Sequence, residues 1–203
     1  SDNEATDILL ERVGAANVTA TLRALGLEDI RVDRPTAGLI GDWLTYAHED
    51  FREKSPGFLL GNDRFFERLT PERREQANRA LAQDRRDVSS PRAMAELLAK
   101  IYRGEAASPE SCKQMVEMLH RQQFTHRIPR KLPVGVRVAH KTGTIGYTVN
   151  DAGILYVGNH HVALAIFALK VSTSVTTEEA EERIGTIARA IYDYFAYTGP
   201  PAR

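Results

Sequence analysis

From Glu4 to Val13 the apolar positions Ala5, Ile8, Leu9 and Val13 recur at helical spacing, and Gly14 is a natural stop. Asn3 is the expected N-cap. Asn17 to Leu25 predicts a second short helix, ended by Gly26, and Asp33-Arg34-Pro35 marks a turn. Thr36 to Asp87 is the least regular and most charged stretch. Within it Trp43 to Phe51 and Pro71 to Ala82 carry helical patterns. Ser55-Pro56-Gly57 and Gly61-Asn62-Asp63 lie between them as turn signals. Trp43 reads as a packing residue rather than a substrate platform. Ser90-Pro91 and Ser108-Pro109 each open a helix, because Ser caps the first turn and Pro tolerates its missing N–H there.

After Pro133 the periodicity becomes that of strands. Val136 to Thr144, Asp151 to Val157 and Val162 to Lys170 are rich in Val, Ile, Leu and Ala, and are separated by Gly146 and Gly158-Asn159. Connections this short predict an antiparallel meander. Thr177 to Tyr197 returns to helical spacing. Ala180, Ile184, Ile187, Ala188, Ile191 and Phe195 form one stripe, and Thr176 with Glu179 makes a capping box. Helices, then three strands, then a helix predict an α+β fold with segregated elements.

Composition narrows the function classes. Of 203 residues, 42% are hydrophobic and 27% charged, as in soluble globular domains. Lys plus Arg equal Asp plus Glu at 27 each, so nothing points to nucleic acid. No apolar run reaches the length of a membrane span. The single cysteine, Cys112, lies in a helical pattern and reads as a small buried hydrophobe. His126, His140, His160 and His161 lack metal-ligand spacing, so no metal is expected from them.

Two short motifs carry candidate chemistry, Ser1-Asp2-Asn3 and Lys141-Thr142-Gly143. Alone, the first is an ordinary helix cap and the second a solvated strand end. Their contexts, opening an amphipathic helix and ending a strand, raise their weight. With a Ser-x-x-Lys they make the set found in class A β-lactamases and penicillin-binding proteins.

The chain resembles the class A β-lactamase family over most of its length. Ser1 to Leu10 is similar to the family's SDN helix, and Arg31-Val32-Asp33-Arg34 to the opening of its Ω-loop. Ser89-Ser90-Pro91 with Met94-Ala95 is similar to the helix after that loop. Leu132 to Thr144 is similar to the family's third strand, and Asn150-Asp151-Ala152-Gly153-Ile154 to the start of its fourth. On this resemblance residues 1–203 are the C-terminal two-thirds of a β-lactamase-like catalytic domain with a long Ω-loop-region insertion at about 36–87. Arg34 and Asp87 are expected to close that loop with an ion pair.

The resemblance implies a serine hydrolase of the β-lactamase type, acylated by β-lactams or peptide-like amides and hydrolysing them through an acyl-enzyme, which acts on β-lactam or cell-wall peptide substrates outside the cytoplasm. It implies no metal or organic cofactor. Ser1 would relay a proton, since a hydroxyl both donates and accepts. Asn3 would hold a substrate amide carbonyl. Lys141 would supply positive charge, and Thr142 a hydroxyl for the substrate carboxylate. Gly143 would let substrate pack against the strand, and the Thr144 N–H would form half of an oxyanion hole. Arg127, fourteen residues before Lys141, occupies a position where some members place a carboxylate-binding Arg.

Two departures stand out. No Ser-x-x-Lys exists in the 203 residues, so the nucleophile is expected upstream, in a segment the domain requires. Thr36 stands where the family has its water-activating Glu, and Glu49, Asp50 and Glu53 are the nearby carboxylates. A D-alanyl-D-alanine peptidase and a non-catalytic β-lactam or muropeptide sensor are the alternative readings.

Overall fold

The computed structural model describes residues 2–51, 58, 69–170 and 174–198. Ser1, Glu53 and the two central turn signals of the insertion therefore lie outside the described residues. The chain divides into two compact units, Ser1–Ser89 and Ser90–Arg203.

The first unit is helical. α1 (Asn3–Val13) and α2 (Ala15–Ala24) meet at Gly14, whose φ of 80° favours a residue without Cβ. The cap of α1 is Asp2 rather than Asn3, because Asp2 Oδ1 accepts from Ala5 N at 2.9 Å. Asn3 is thus the first helical residue. Thr19 Oγ1 donates to Val32 O and accepts from Val32 N, pinning the segment before Asp33 to α2.

α3 (Thr36–Ala47) begins well before the expected Trp43, and a 3-10 turn follows at Glu49–Phe51. Gly38 and Gly41 weaken the local helical signal, since Gly costs about 1 kcal/mol in a helix interior. A tertiary contact described below supplies the missing cap. α4 (Pro71–Gln83) begins where expected, capped by Thr70. Trp43 Nε1 donates to Asn78 Oδ1 at 2.9 Å between α3 and α4, in the packing role expected of it. Leu44 and Phe51 form a small core with Ile40 and Leu69.

The second unit carries the sheet. α5 (Pro91–Arg103) and α6 (Pro109–His120) are capped by Ser90 and Ser108, and Gly104 ends α5 in the left-handed conformation. A 3-10 turn at Ile128–Lys131 leads to β1 (Val138–Ile145), β2 (Thr148–Val157) and β3 (His160–Leu169). They form the expected antiparallel meander in the order β1-β2-β3.

One sheet face packs on α7 (Thr177–Asp193), where Val149, Leu155 and Val157 meet Ala180, Ile184 and Ala188. Ile187, expected in that stripe, is exposed instead. The other face packs on α5 and α6 through Ala139, Ala152, Ile154 and Leu98. Cys112 is buried in α6, as expected of a small hydrophobe.

Candidate active site

β1 is an edge of the sheet, and strand alternation sends Lys141 to one face and Thr142 and Thr144 to the other. Gly143, between them, leaves the strand backbone open, with no atom within 4 Å of where a Cβ would stand. Lys141, Gly143 and Thr144 are exposed and Thr142 is half-buried. The Lys141 ammonium donates to Thr142 O at 2.6 Å. Partial desolvation of its ammonium against the sheet, although the residue as a whole is exposed, pulls the pKa of Lys141 below the ordinary lysine value. Asp151 opposes that fall, and Arg127 adds to it.

Arg127 is a buried residue, not a surface one. Nη1 donates to Gly143 O at 2.8 Å and to Asn150 O at 2.6 Å, while Nη2 donates to Thr144 Oγ1. Nε donates to Glu181 on α7 at 3.2 Å. The guanidinium therefore braces the Lys141–Thr144 segment from behind. An arginine only donates, so its bond occupies a lone pair on Thr144 Oγ1 and leaves that hydroxyl's proton to turn elsewhere.

Asp151 is fully buried, and both its oxygens lie within 3.0 Å of His140 Nδ1. Oδ2 also accepts from Ile128 N at 3.0 Å. With a carboxylate as its partner, Nδ1 is assigned the proton. Gly153, opposite His140 in the register, provides the room. A Cβ there would stand 2.6 Å from His140 Cβ and 2.4 Å from Ala139 O. His140, read from sequence only for metal spacing, is thus a buried partner of a carboxylate. The signal that could have flagged it is the Asp151-x-Gly153 pair.

In the first unit Asn3 and Asp7 lie one turn apart on α1. Asp7 Oδ1 accepts from Thr36 N at 2.6 Å and Oδ2 from Ala37 N at 2.8 Å. One carboxylate thus caps the first two amides of α3, whose own N-cap, Pro35, has no side-chain acceptor. Thr36 is thereby fixed at a helix start, and it offers a hydroxyl rather than a carboxylate. Sequence reasoning missed Asp7, because nothing local links positions 7 and 36.

The ends of the insertion are tied together. Arg34 Nε donates to Asp87 Oδ2 at 2.7 Å, and Nη2 to Asp84 Oδ2 at 3.0 Å. Asp42 pairs with Arg34 as well. The Asp84 carboxyl is held well below the usual carboxylate range, first by Arg86 and further by Arg34 and Tyr46. Among the described residues no three or more His, Cys, Asp or Glu are grouped to hold a metal ion, and no helix is long and apolar enough to cross a membrane.

The profile of the beta-lactamase enzyme family matches residues 1–195. The carbapenem-hydrolyzing beta-lactamase KPC of Klebsiella oxytoca is 29% identical over 172 residues, covering 82% of this chain and 46% of that protein. The crystal structure of a beta-lactamase from Sphaerobacter thermophilus superposes with a TM-score of 0.68 at 26% identity, covering 98% of this chain and 60% of that one. PBP-A superposes with a TM-score of 0.65 at 25% identity, covering 96% and 56%. The chain spans about half the length of the relatives it matches.

Proposed function

The chain belongs to the beta-lactamase enzyme family, and from that premise we propose that the protein containing it is an exported serine hydrolase acylated by β-lactams or peptide-like amides. The observation that carries this reading is the braced edge strand. Lys141, Thr142, Gly143 and Thr144 stand on an open sheet edge, fixed from behind by a buried arginine.

The nucleophilic serine comes from chain beyond these 203 residues, which contain no Ser-x-x-Lys. Its oxygen attacks the amide carbonyl carbon, and the carbonyl oxygen gains negative charge beside the Thr144 N–H. The serine hydroxyl gives up its proton in the attack, and as the C–N bond breaks a proton is returned to the nitrogen through the Ser1 hydroxyl. Asn3 holds the substrate's side amide. The Lys141 charge and the Thr142 and Thr144 hydroxyls receive the substrate carboxylate. Arg127 serves that carboxylate through Thr144, whose proton its donated bond leaves available. Water then cleaves the ester and restores the serine.

A second reading, a cell-wall peptidase of the penicillin-binding type, is favoured by one feature. Thr36 brings a hydroxyl rather than a water-activating carboxylate to the start of α3, and the carboxylate that does stand there, Asp7, has both oxygens taken up by backbone amides. Both readings require acylation, so the test begins there. Full-length protein mixed with a fluorescent penicillin should gain one adduct by intact mass, and Lys141→Ala should slow its formation strongly. Absence of any adduct would remove both. Turnover of a chromogenic cephalosporin then separates hydrolase from peptidase.

A further inference from the structure

We propose that Asp151 is a positioning residue for this chemistry, clamping through one buried carboxylate both the residue before Lys141 and the residue after Arg127. The proposal rests on the function proposed above, and its geometry comes from the second unit alone.

The carboxylate of Asp151 accepts from His140 Nδ1 and from the backbone N–H of Ile128. His140 precedes Lys141 on β1, and Ile128 follows Arg127. The two groups assigned to the anionic end of the substrate are therefore held in register by a single side chain on β2. Arg127 closes the circuit from its own side, donating to Asn150 O next to Asp151 and to Gly143 O and Thr144 Oγ1 on β1. Neither His140 nor Asp151 is available to substrate, since their side chains are 2% and 0% exposed.

Burial on this scale needs a reason beyond packing. A desolvated carboxylate is costly unless its lone pairs are taken up, and here an imidazole and an amide take them. Apolar residues would fill the same space more simply, but they would neither fix His140 and Ile128 together nor place a negative charge behind the strand.

That charge has a consequence at Lys141, on the opposite face of β1. Burial and Arg127 both favour the neutral amine, and Asp151 favours the ammonium. No titratable residue of α6, which packs on β1, is among the charges that shift Lys141. Glu110, Lys113 and Glu117 are exposed, and His120 Nε2 lies 3.1 Å from Tyr156 Oη. Removing the Asp151 charge should therefore lower the pKa of Lys141. Acylation that needs the ammonium would then fail at a lower pH on its alkaline side.

The test uses the full-length protein and two readouts. The Lys141 side chain is titrated by NMR with ¹³C-labelled lysine, assigned by its loss in Lys141→Ala. The rate of labelling by a fluorescent penicillin is measured across pH. Asp151→Asn should lower the Lys141 midpoint, slow acylation at neutral pH and move the alkaline limb down. If Asp151→Asn does not fold, His140→Asn combined with Asp151→Asn keeps a donor facing an acceptor without the charge, and should shift the midpoint likewise. A midpoint at the wild-type value in a folded variant overturns the proposal, whatever the stability. If the wild type is not labelled at all, the β-lactam reading fails, and the NMR titration still decides the role of Asp151.

Discussion

Arg34 Nε donates to Asp87 Oδ2 at 2.7 Å, joining two residues that flank the whole 36–87 excursion. The bond is reinforced by three backbone–carboxylate hydrogen bonds at the neck. Asp87 Oδ1 accepts from the Asp33 and Arg34 amides at 2.7 and 3.2 Å, and Asp87 N donates to Asp33 Oδ2 at 2.7 Å. Asp87 holds a φ of 50°, uncommon for a residue with a Cβ, and these bonds offset that strain.

Arg34→Ala should therefore destabilise the protein severely. The Arg34 side chain is 9% exposed, and its removal leaves Asp87 without its guanidinium partner and takes one of the partners of the nearly buried Asp84, which keeps Arg86 and Tyr46. Losing one member of a buried pair costs about 3–5 kcal/mol, read as a drop in the midpoint of urea unfolding. The acid limb should change too. Asp84 has a depressed folded pKa. Its contribution is thus complete above the unfolded carboxylate value of about 4 and fades as pH falls through the folded value. Arg34→Ala should weaken that acid dependence in part, since Arg86, the leading cause of the depression, remains. Unaltered acid unfolding in the variant would show that the cluster is solvated.

This neck was legible in the sequence because a family pattern names both partners. The sheet was legible for a more local reason. Val, Ile and Ala runs broken by Gly146 and Gly158 leave only a meander, and the structure shifts its ends by a few residues. The start of α3 was not legible, since its cap comes from Asp7, in another helix. Nor were the partners of Arg127 and His140, because a buried ion's role is set by what tertiary packing brings to it. Ser-x-x-Lys spacing can be searched in a string, whereas a carboxylate shared by residues 128 and 140 cannot.

Asp7→Asn should loosen α3 although the two side chains have the same shape. Both Asp7 oxygens accept N–H bonds, and an amide nitrogen would instead point a donor at a donor. Losing such a cap costs about 0.5–2 kcal/mol. Hydrogen exchange should speed up at the first amides of α3 while those of α7 hold. Equal protection in the variant would mean that α3 does not depend on this cap.

The 203 residues expressed alone should not be acylated and should associate. α1 buries none of its residues, and Ile8, Leu9 and Val13 are each more than half exposed. Apolar surface left in water forfeits about 25 cal/mol per Å², a serious loss against a typical stability of about 5–15 kcal/mol. Sedimentation should detect self-association, and intact mass after penicillin treatment should show no adduct. A stable monomer, or an acyl group on any serine of the chain, would contradict this.

The deacylation step offers the sharpest contrast between readings. Thr36 sits at the first turn of α3 with its amide held by Asp7. Its hydroxyl cannot take a proton from water near neutral pH, whereas a carboxylate can. Loss of general-base help costs about 10²–10⁴ in rate, so the acyl-enzyme should accumulate in the full-length protein. A chromogenic cephalosporin should give a burst of one equivalent followed by slow turnover. Thr36→Glu should then speed the slow phase and leave the burst unchanged, because only the second step needs the base. The competing source of a base is the insertion itself, where Glu49 lies in the 3-10 turn after α3 and Asp50 and Glu53 follow in sequence. Burst-free hydrolysis abolished by neutralising one of these three would assign the role to that residue and leave Thr36 a helix-start residue only.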